Sequence, residues 1–155
     1  MKKLFTIIIS FILFTSYVHS QTNLTKHNGP VLSFGSSGEW DNFGVASPSV
    51  IFDGSIYNMW YSGGDGTVSG NSIGYAASND GITWTKYSGN PVLSGVSGEW
   101  DPSINNASVV LANGQYMMYY SGAASGSPER IGLATSSDNI DFVTNSLIHP
   151  LNKGG

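Results

Sequence analysis

The chain states one long phrase twice, and no other feature constrains its fold as tightly. Gly38-Glu39-Trp40-Asp41 returns as Gly98-Glu99-Trp100-Asp101, and Ser49-Val50-Ile51 returns as Ser108-Val109-Val110. Tyr57-Asn58-Met59-Trp60-Tyr61-Ser62-Gly63 comes back as Tyr116-Met117-Met118-Tyr119-Tyr120-Ser121-Gly122, and Ile73-Gly74-Tyr75-Ala76 as Ile131-Gly132-Leu133-Ala134. The matching positions lie 60, then 59, then 58 residues apart. Spacing this even means one folded unit used more than once, so the unit must be read before the chain.

Within the first copy, residues 46–52 form a short run with β-branched members, ended by the Asp53-Gly54 turn. Residues 55–62 form a second run, ended by Gly63-Gly64, and residues 72–78 a third, ended by Asn79-Asp80-Gly81. Residues 82–87 make a fourth, closed by Ser88-Gly89-Asn90-Pro91. Short runs separated by Asp-Gly and Gly-Gly turns predict a four-stranded antiparallel meander. Asp65-Gly66-Thr67-Val68-Ser69-Gly70 is too poor in carboxylates for a calcium loop and reads as a long connection. Alternation sends Trp60 and Tyr61 to opposite faces of the sheet. No stretch after residue 20 has helical periodicity with caps, so the chain reads as all-β.

A four-stranded sheet in each repeat of about 60 residues describes a β-propeller blade. Leu24-Thr25-Lys26 through Pro30-Val31-Leu32 matches Trp84-Thr85-Lys86 through Pro91-Val92-Leu93 with one residue dropped. Residues 21–37 therefore read as the last strand of a ring-closing blade with its linker, 38–97 as one blade and 98–155 as a second. Two blades do not close a ring, since propellers carry about 4–8. The expectation is an incomplete propeller belonging to a longer protein. If the chain is complete, several copies would share one ring as a homo-oligomer.

Lys2 and Lys3 precede an apolar run over residues 4–14, followed by Val18-His19-Ser20. A basic start, a short apolar core and small residues before the cut predict a signal peptide over 1–20 and a secreted or periplasmic product. The run falls short of the roughly 18–20 residues that a membrane span needs. Cleavage leaves four basic and ten acidic residues, a net charge of −6 by count. That balance argues against nucleic acid or an anionic membrane as partner. With no cysteine, an exported chain has no disulfides and must hold by packing alone.

Three phrases carry a resemblance: Ser47-Pro48-Ser49-Val50-Ile51-Phe52-Asp53-Gly54, Tyr57-Asn58-Met59-Trp60-Tyr61-Ser62-Gly63, and Ile73-Gly74-Tyr75-Ala76 with Ser78-Asn79-Asp80-Gly81-Ile82-Thr83-Trp84. In these phrases the chain resembles the five-bladed propeller glycoside hydrolases: arabinanases, β-xylosidases, invertase-like enzymes and mannoside phosphorylases. The resemblance implies a glycan or oligosaccharide as partner and glycosidic bond cleavage as the reaction. Ser78-Asn79-Asp80-Gly81-Ile82-Thr83-Trp84 also looks like the Asp-box of sialidases, one residue short. It reads as a structural turn, with Asp80 accepting backbone N–H bonds and Trp84 packing between blades.

Chemistry of that class needs carboxylates facing each other across a central channel. The resemblance puts its base at Ser47 and its pKa-tuning aspartate at Asn106, both neutral here. It puts the third carboxylate on a third blade. Asp41 and Asp101, which precede the innermost strands, are then the candidate catalytic bases, with Trp40, Trp100, Ser47 and Asn106 as candidate substrate contacts. The opposing reading of Gly-Glu-Trp-Asp is an entry turn that each blade needs: tryptophan for packing, aspartate to cap the loop. Because Ser47 and Asn106 are neutral, a non-catalytic glycan-binding propeller stands as the alternative. His27 and His149 stand alone, so no metal site is expected, and no motif calls for a cofactor.

Overall fold

The computed structural model describes residues 24–67 and 70–144. The signal-peptide segment and the end of the second repeat lie outside the described residues. Nine strands follow one another: β1 (Gly44–Phe52), β2 (Tyr57–Gly64), β3 (Ser72–Ser78), β4 (Thr85–Lys86), β5 (Leu93–Ser94), β6 (Ser103–Ala112), β7 (Gln115–Ala123), β8 (Arg130–Ser136) and β9 (Val143–Thr144). They form two all-antiparallel sheets, β1-β2-β3-β4 with β5 also on β3, and β6-β7-β8-β9. Each sheet is one copy of the repeat, built as a propeller blade.

The turns follow from side-chain chemistry. Asp53 Oδ1 accepts the backbone N–H groups of Ser55 and Ile56 at 2.9 and 3.0 Å, which folds β1 back into β2. In the second blade, Asn113 and Gly114 both have positive φ (52° and 76°) between the paired Ala112 and Gln115. That is the two-residue geometry whose twist suits a hairpin.

The fourth strand is shorter than the sequence predicts. After Lys86 the Tyr87 N–H still donates to the Tyr75 carbonyl at 3.0 Å; the chain then leaves β3 and returns through the Val92 N–H on the Ile73 carbonyl (2.8 Å) and the Leu93–Ser94 pairs. Asn90 is the reason. Its Oδ1 accepts the Tyr75 N–H at 2.8 Å and its Nδ2 donates to the Tyr75 carbonyl at 2.9 Å. The Asn90 side chain thereby stands in for the backbone acceptor of the Tyr75 N–H, while the Tyr75 carbonyl also keeps the Tyr87 N–H. Residues 24–32 likewise carry no assigned strand. Pro30, Val31 and Leu32 nevertheless lie in an apolar cleft with Val45, Met59 and Tyr61.

The core sits in the seam between the blades. Trp60, Ile73, Tyr75 and Leu93 pack against Ile104, Val109, Tyr116, Met118, Tyr120 and Phe142. Trp60 is fully buried, with ring centroids 5.7 Å from Tyr75, 5.6 Å from Tyr116 and 6.2 Å from Phe142. Its Nε1 donates to the Asn139 carbonyl at 3.0 Å. Tyr61, one residue on, faces the other way, into a cluster with Met59, Ala76, Leu32, Trp40 and Trp84. The expected alternation holds there, but Trp84 packs on the face of its blade turned away from the second one, not in the seam. Among the described residues, nothing covers the far side of blade two. Ile131, which repeats the fully buried Ile73, is 71% exposed, and Tyr119, which repeats Trp60, is 42% exposed.

Candidate functional site

The innermost strands β1 and β6 each carry a bulge, between Ala46 and Ser49 and between Asn105 and Ser108. The bulges place Ser47 and Asn106 in the left-handed region, at φ 49° and 54°. A non-glycine residue there is strained, and such strain gathers at functional positions when the surroundings hold it. Here the surroundings hold it across the seam. Ser47 Oγ donates to Asn106 Oδ1 at 2.7 Å, and the Asn106 N–H donates to Ser62 Oγ at 2.9 Å. Asn106 Nδ2 donates to Ser121 Oγ at 3.0 Å.

A second cross-seam row lies beside it. Asn71 Nδ2 donates to Asn105 Oδ1 at 2.8 Å, its N–H donates to Ser103 Oγ at 3.1 Å, and its carbonyl accepts the Ile104 N–H at 3.0 Å. The result is a line of amides and hydroxyls where the two innermost strands meet. All of it is neutral. It can donate and accept hydrogen bonds, but it holds no group able to take a proton at neutral pH.

Asp41 and Asp101 are built differently. Asp41 is 1% exposed, and its Oδ2 takes the Lys86 ammonium at 2.6 Å and the Tyr61 hydroxyl at 3.2 Å. Burial, and then the Asp41 charge beside it, push the Tyr61 hydroxyl well above the ordinary tyrosine range, so it stays a donor. Asp101 is 7% exposed and accepts the Tyr120 hydroxyl at 2.7 Å. Burial and that hydrogen bond likewise push Tyr120 far up. Each aspartate is thus tied to the second strand of its own blade.

Their tryptophans do the same work. Trp40 lies against Tyr61 (5.8 Å between centroids) and Trp100 is stacked on Tyr120 (6.1 Å, 15° between planes). Glycine makes room: a Cβ on Gly63 would sit 2.7 Å from the Trp40 ring, and one on Gly122 would sit 2.6 Å from Asp101 Cβ. The Trp-Asp pairs therefore do not converge on one space, whereas Ser47 and Asn106 do. Asp80 sits in the turn expected of it, and Asp138 occupies the matching turn of the second blade. Asp80 Oδ1 accepts the Thr83 and Ile82 N–H groups at 2.7 and 2.8 Å, which hold its carboxyl far below the usual range.

Asn71, Asn105 and Phe43 carry functional promise that sequence reading did not single out. One signal was present for Phe43: the first copy is one residue longer than the second between Asp41 and Ser49 (Asp101 and Ser108), and Phe43 lies in that stretch. Among the described residues, no group of three His, Cys, Asp or Glu side chains could hold a metal ion.

The fold is that of the propeller glycosidases. A family 117 glycoside hydrolase from the marine bacterium Zobellia galactanivorans superposes with a TM-score of 0.65 at 22% identity, over 81% of this chain and 37% of that one. A protein of glycoside hydrolase family 130, described with mannoside phosphorylases and hydrolases that target β-1,2 mannosidic linkages in Candida mannan, gives 0.64 at 21% over 74% and 38%. The family 32 β-fructofuranosidase of Bombyx mori gives 0.56 at 23% over 66% and 22%. No protein-family model matches the chain. In sequence it is 36% identical, over 109 residues and 67% of its length, to uncharacterized proteins of Mycobacterium tuberculosis strains CDC 1551 / Oshkosh and ATCC 25618 / H37Rv. The match covers 35% of those relatives, so the chain spans about a third of their length.

Proposed function

We propose that this chain supplies two blades of a larger, exported, glycan-acting propeller, and that these blades recognise sugar hydroxyls at the seam of their innermost strands. The observation that carries the reading is the Ser47–Asn106 hydrogen bond, which joins the strained bulges of both blades at 2.7 Å. A neutral donor-acceptor row suits hydroxyl recognition, because each sugar hydroxyl both donates and accepts. In this reading Asp41 and Asp101 hold the entry loops, and any acid-base pair for glycosidic cleavage comes from carboxylates beyond these blades. The share of its relatives that the chain spans supports membership of a longer protein. Should these blades work without catalysis, they act as a glycan-binding module.

The test is binding of immobilised arabinan, xylan, mannan and levan by the full chain and by its Ser47→Ala and Asn106→Ala variants. Binding of one of these glycans, weakened about ten-fold or more in each variant with the melting temperature within a few degrees, is expected. Binding left intact in both variants overturns the seam assignment. Export is tested separately: the N-terminus of the protein recovered outside the cytoplasm is expected at Gln21, and retention of Met1 there rules out cleavage.

A further inference from the structure

We propose that Phe43 forms an aromatic platform for a second sugar unit, so that the seam takes an oligosaccharide and not a single sugar. The proposal rests on the seam reading above and goes beyond it. Phe43 is 78% exposed although it directly precedes β1, and its N–H is fixed by the Gly64 carbonyl at 3.0 Å. Its ring lies against the backbone of Gly66, in the connection that leaves β2. A Cβ built on Gly66 would sit 2.8 Å from the Phe43 ring, so only glycine leaves the ring its seat. The positive φ of Gly66 (78°) favours glycine as well.

The repeat makes the contrast plain. Ser103, which the sheet registers match with Gly44, turns into the seam and accepts a hydrogen bond from the Asn71 N–H. Phe43 instead rests on the loop of its own blade, so its exposed ring is not the counterpart of that seam contact. Asn71 borders the same strand end: its Oδ1 would collide with a Cβ on Gly64, the residue whose carbonyl holds the Phe43 N–H. An aromatic face beside amide donors and acceptors matches the two surfaces of a pyranose, C–H groups on one face and hydroxyls around the rim. Phe43 lies four residues before Ser47, roughly 10–13 Å along an extended strand, which is the length of a short oligosaccharide.

The experiment is calorimetric titration of the full chain, and of its Phe43→Ala and Phe43→Trp variants, with mono- to hexasaccharide ladders of arabinose, xylose, mannose and fructose. For the wild-type chain, affinity is expected to rise with length. Phe43→Ala is expected to lose about three- to ten-fold for the longer members while leaving the shortest binder unchanged, and Phe43→Trp to keep the rise. A uniform loss at every length in Phe43→Ala, accompanied by a lower melting temperature, would mean a packing role and overturns the platform. An unchanged ladder in Phe43→Ala overturns it too, while the seam reading survives through the Ser47 and Asn106 variants. Absence of binding to every ladder overturns both.

Discussion

At the scale of single residues, the two blades solve the same problem with unequal means. Asp41 and Asp101 are both buried beneath a tyrosine hydroxyl, but among the described residues only Asp41 also has a cation, because the position of Lys86 in the first blade is Thr144 in the second. Removing Asp41 strands an ammonium that is 28% exposed, so the loss falls below that of a fully buried pair. Asp41→Ala is expected to cost about 2–4 kcal/mol and Asp101→Ala about 1–3 kcal/mol, read from denaturant midpoints. If Asp41→Asn keeps its full stability yet abolishes turnover of a glycan, Asp41 is a base after all. The repeat itself favours the structural reading proposed above, since a phrase needed by both blades is one that both blades must fold. What the sequence did not disclose is the cation, because Lys86 lies 45 residues from Asp41.

At the scale of strands and turns, β3 spans Ser72–Ser78 as its flanking turn residues say it should, β1 begins two residues earlier than expected and ends where expected, and β2 is displaced by two residues at both ends. Those segments have periodic apolar residues and emphatic Gly-containing turns, which act locally and can be read locally. The fourth strand could not be read this way. Its interruption depends on Asn90 reaching Tyr75, a contact between side chain and ladder that no period encodes. Asn90→Ala leaves the buried Tyr75 N–H without a partner, while the carbonyl keeps the Tyr87 N–H at 3.0 Å. A loss of about 1–3 kcal/mol is expected, with faster hydrogen exchange at the Tyr75 amide as the specific sign. Unchanged exchange there would show that the side-chain bridge is dispensable. The candidate site divides along the same line. The resemblance to propeller glycosidases located Ser47 and Asn106, while the Asn71–Asn105 bridge depends on how two blades lean together and so lay beyond a one-dimensional reading.

At the scale of the molecule, the seam is closed and, among the described residues, the far side of blade two is uncovered. Ile73 and Ile131 occupy the same place in their blades, yet one is fully buried and the other 71% exposed. Ile73→Ala is expected to cost about 2–4 kcal/mol, and Ile131→Ala less than about 0.5 kcal/mol in this chain, by equilibrium unfolding. In a longer polypeptide carrying a further blade, the Ile131 value is expected to rise towards that of Ile73; a value that stays near zero there denies that a blade covers this face. The seam has one more consequence, in time. The indole of Trp60 finds its acceptor 79 residues later, at Asn139, and its edge-on aromatic neighbour only at Phe142. At about 5–20 residues per second of synthesis, that gap amounts to roughly 4–16 s. Throughout that interval the first blade leaves the ribosome with its largest apolar side chain still wet, and a chaperone that meets it then finds a sheet awaiting its neighbour.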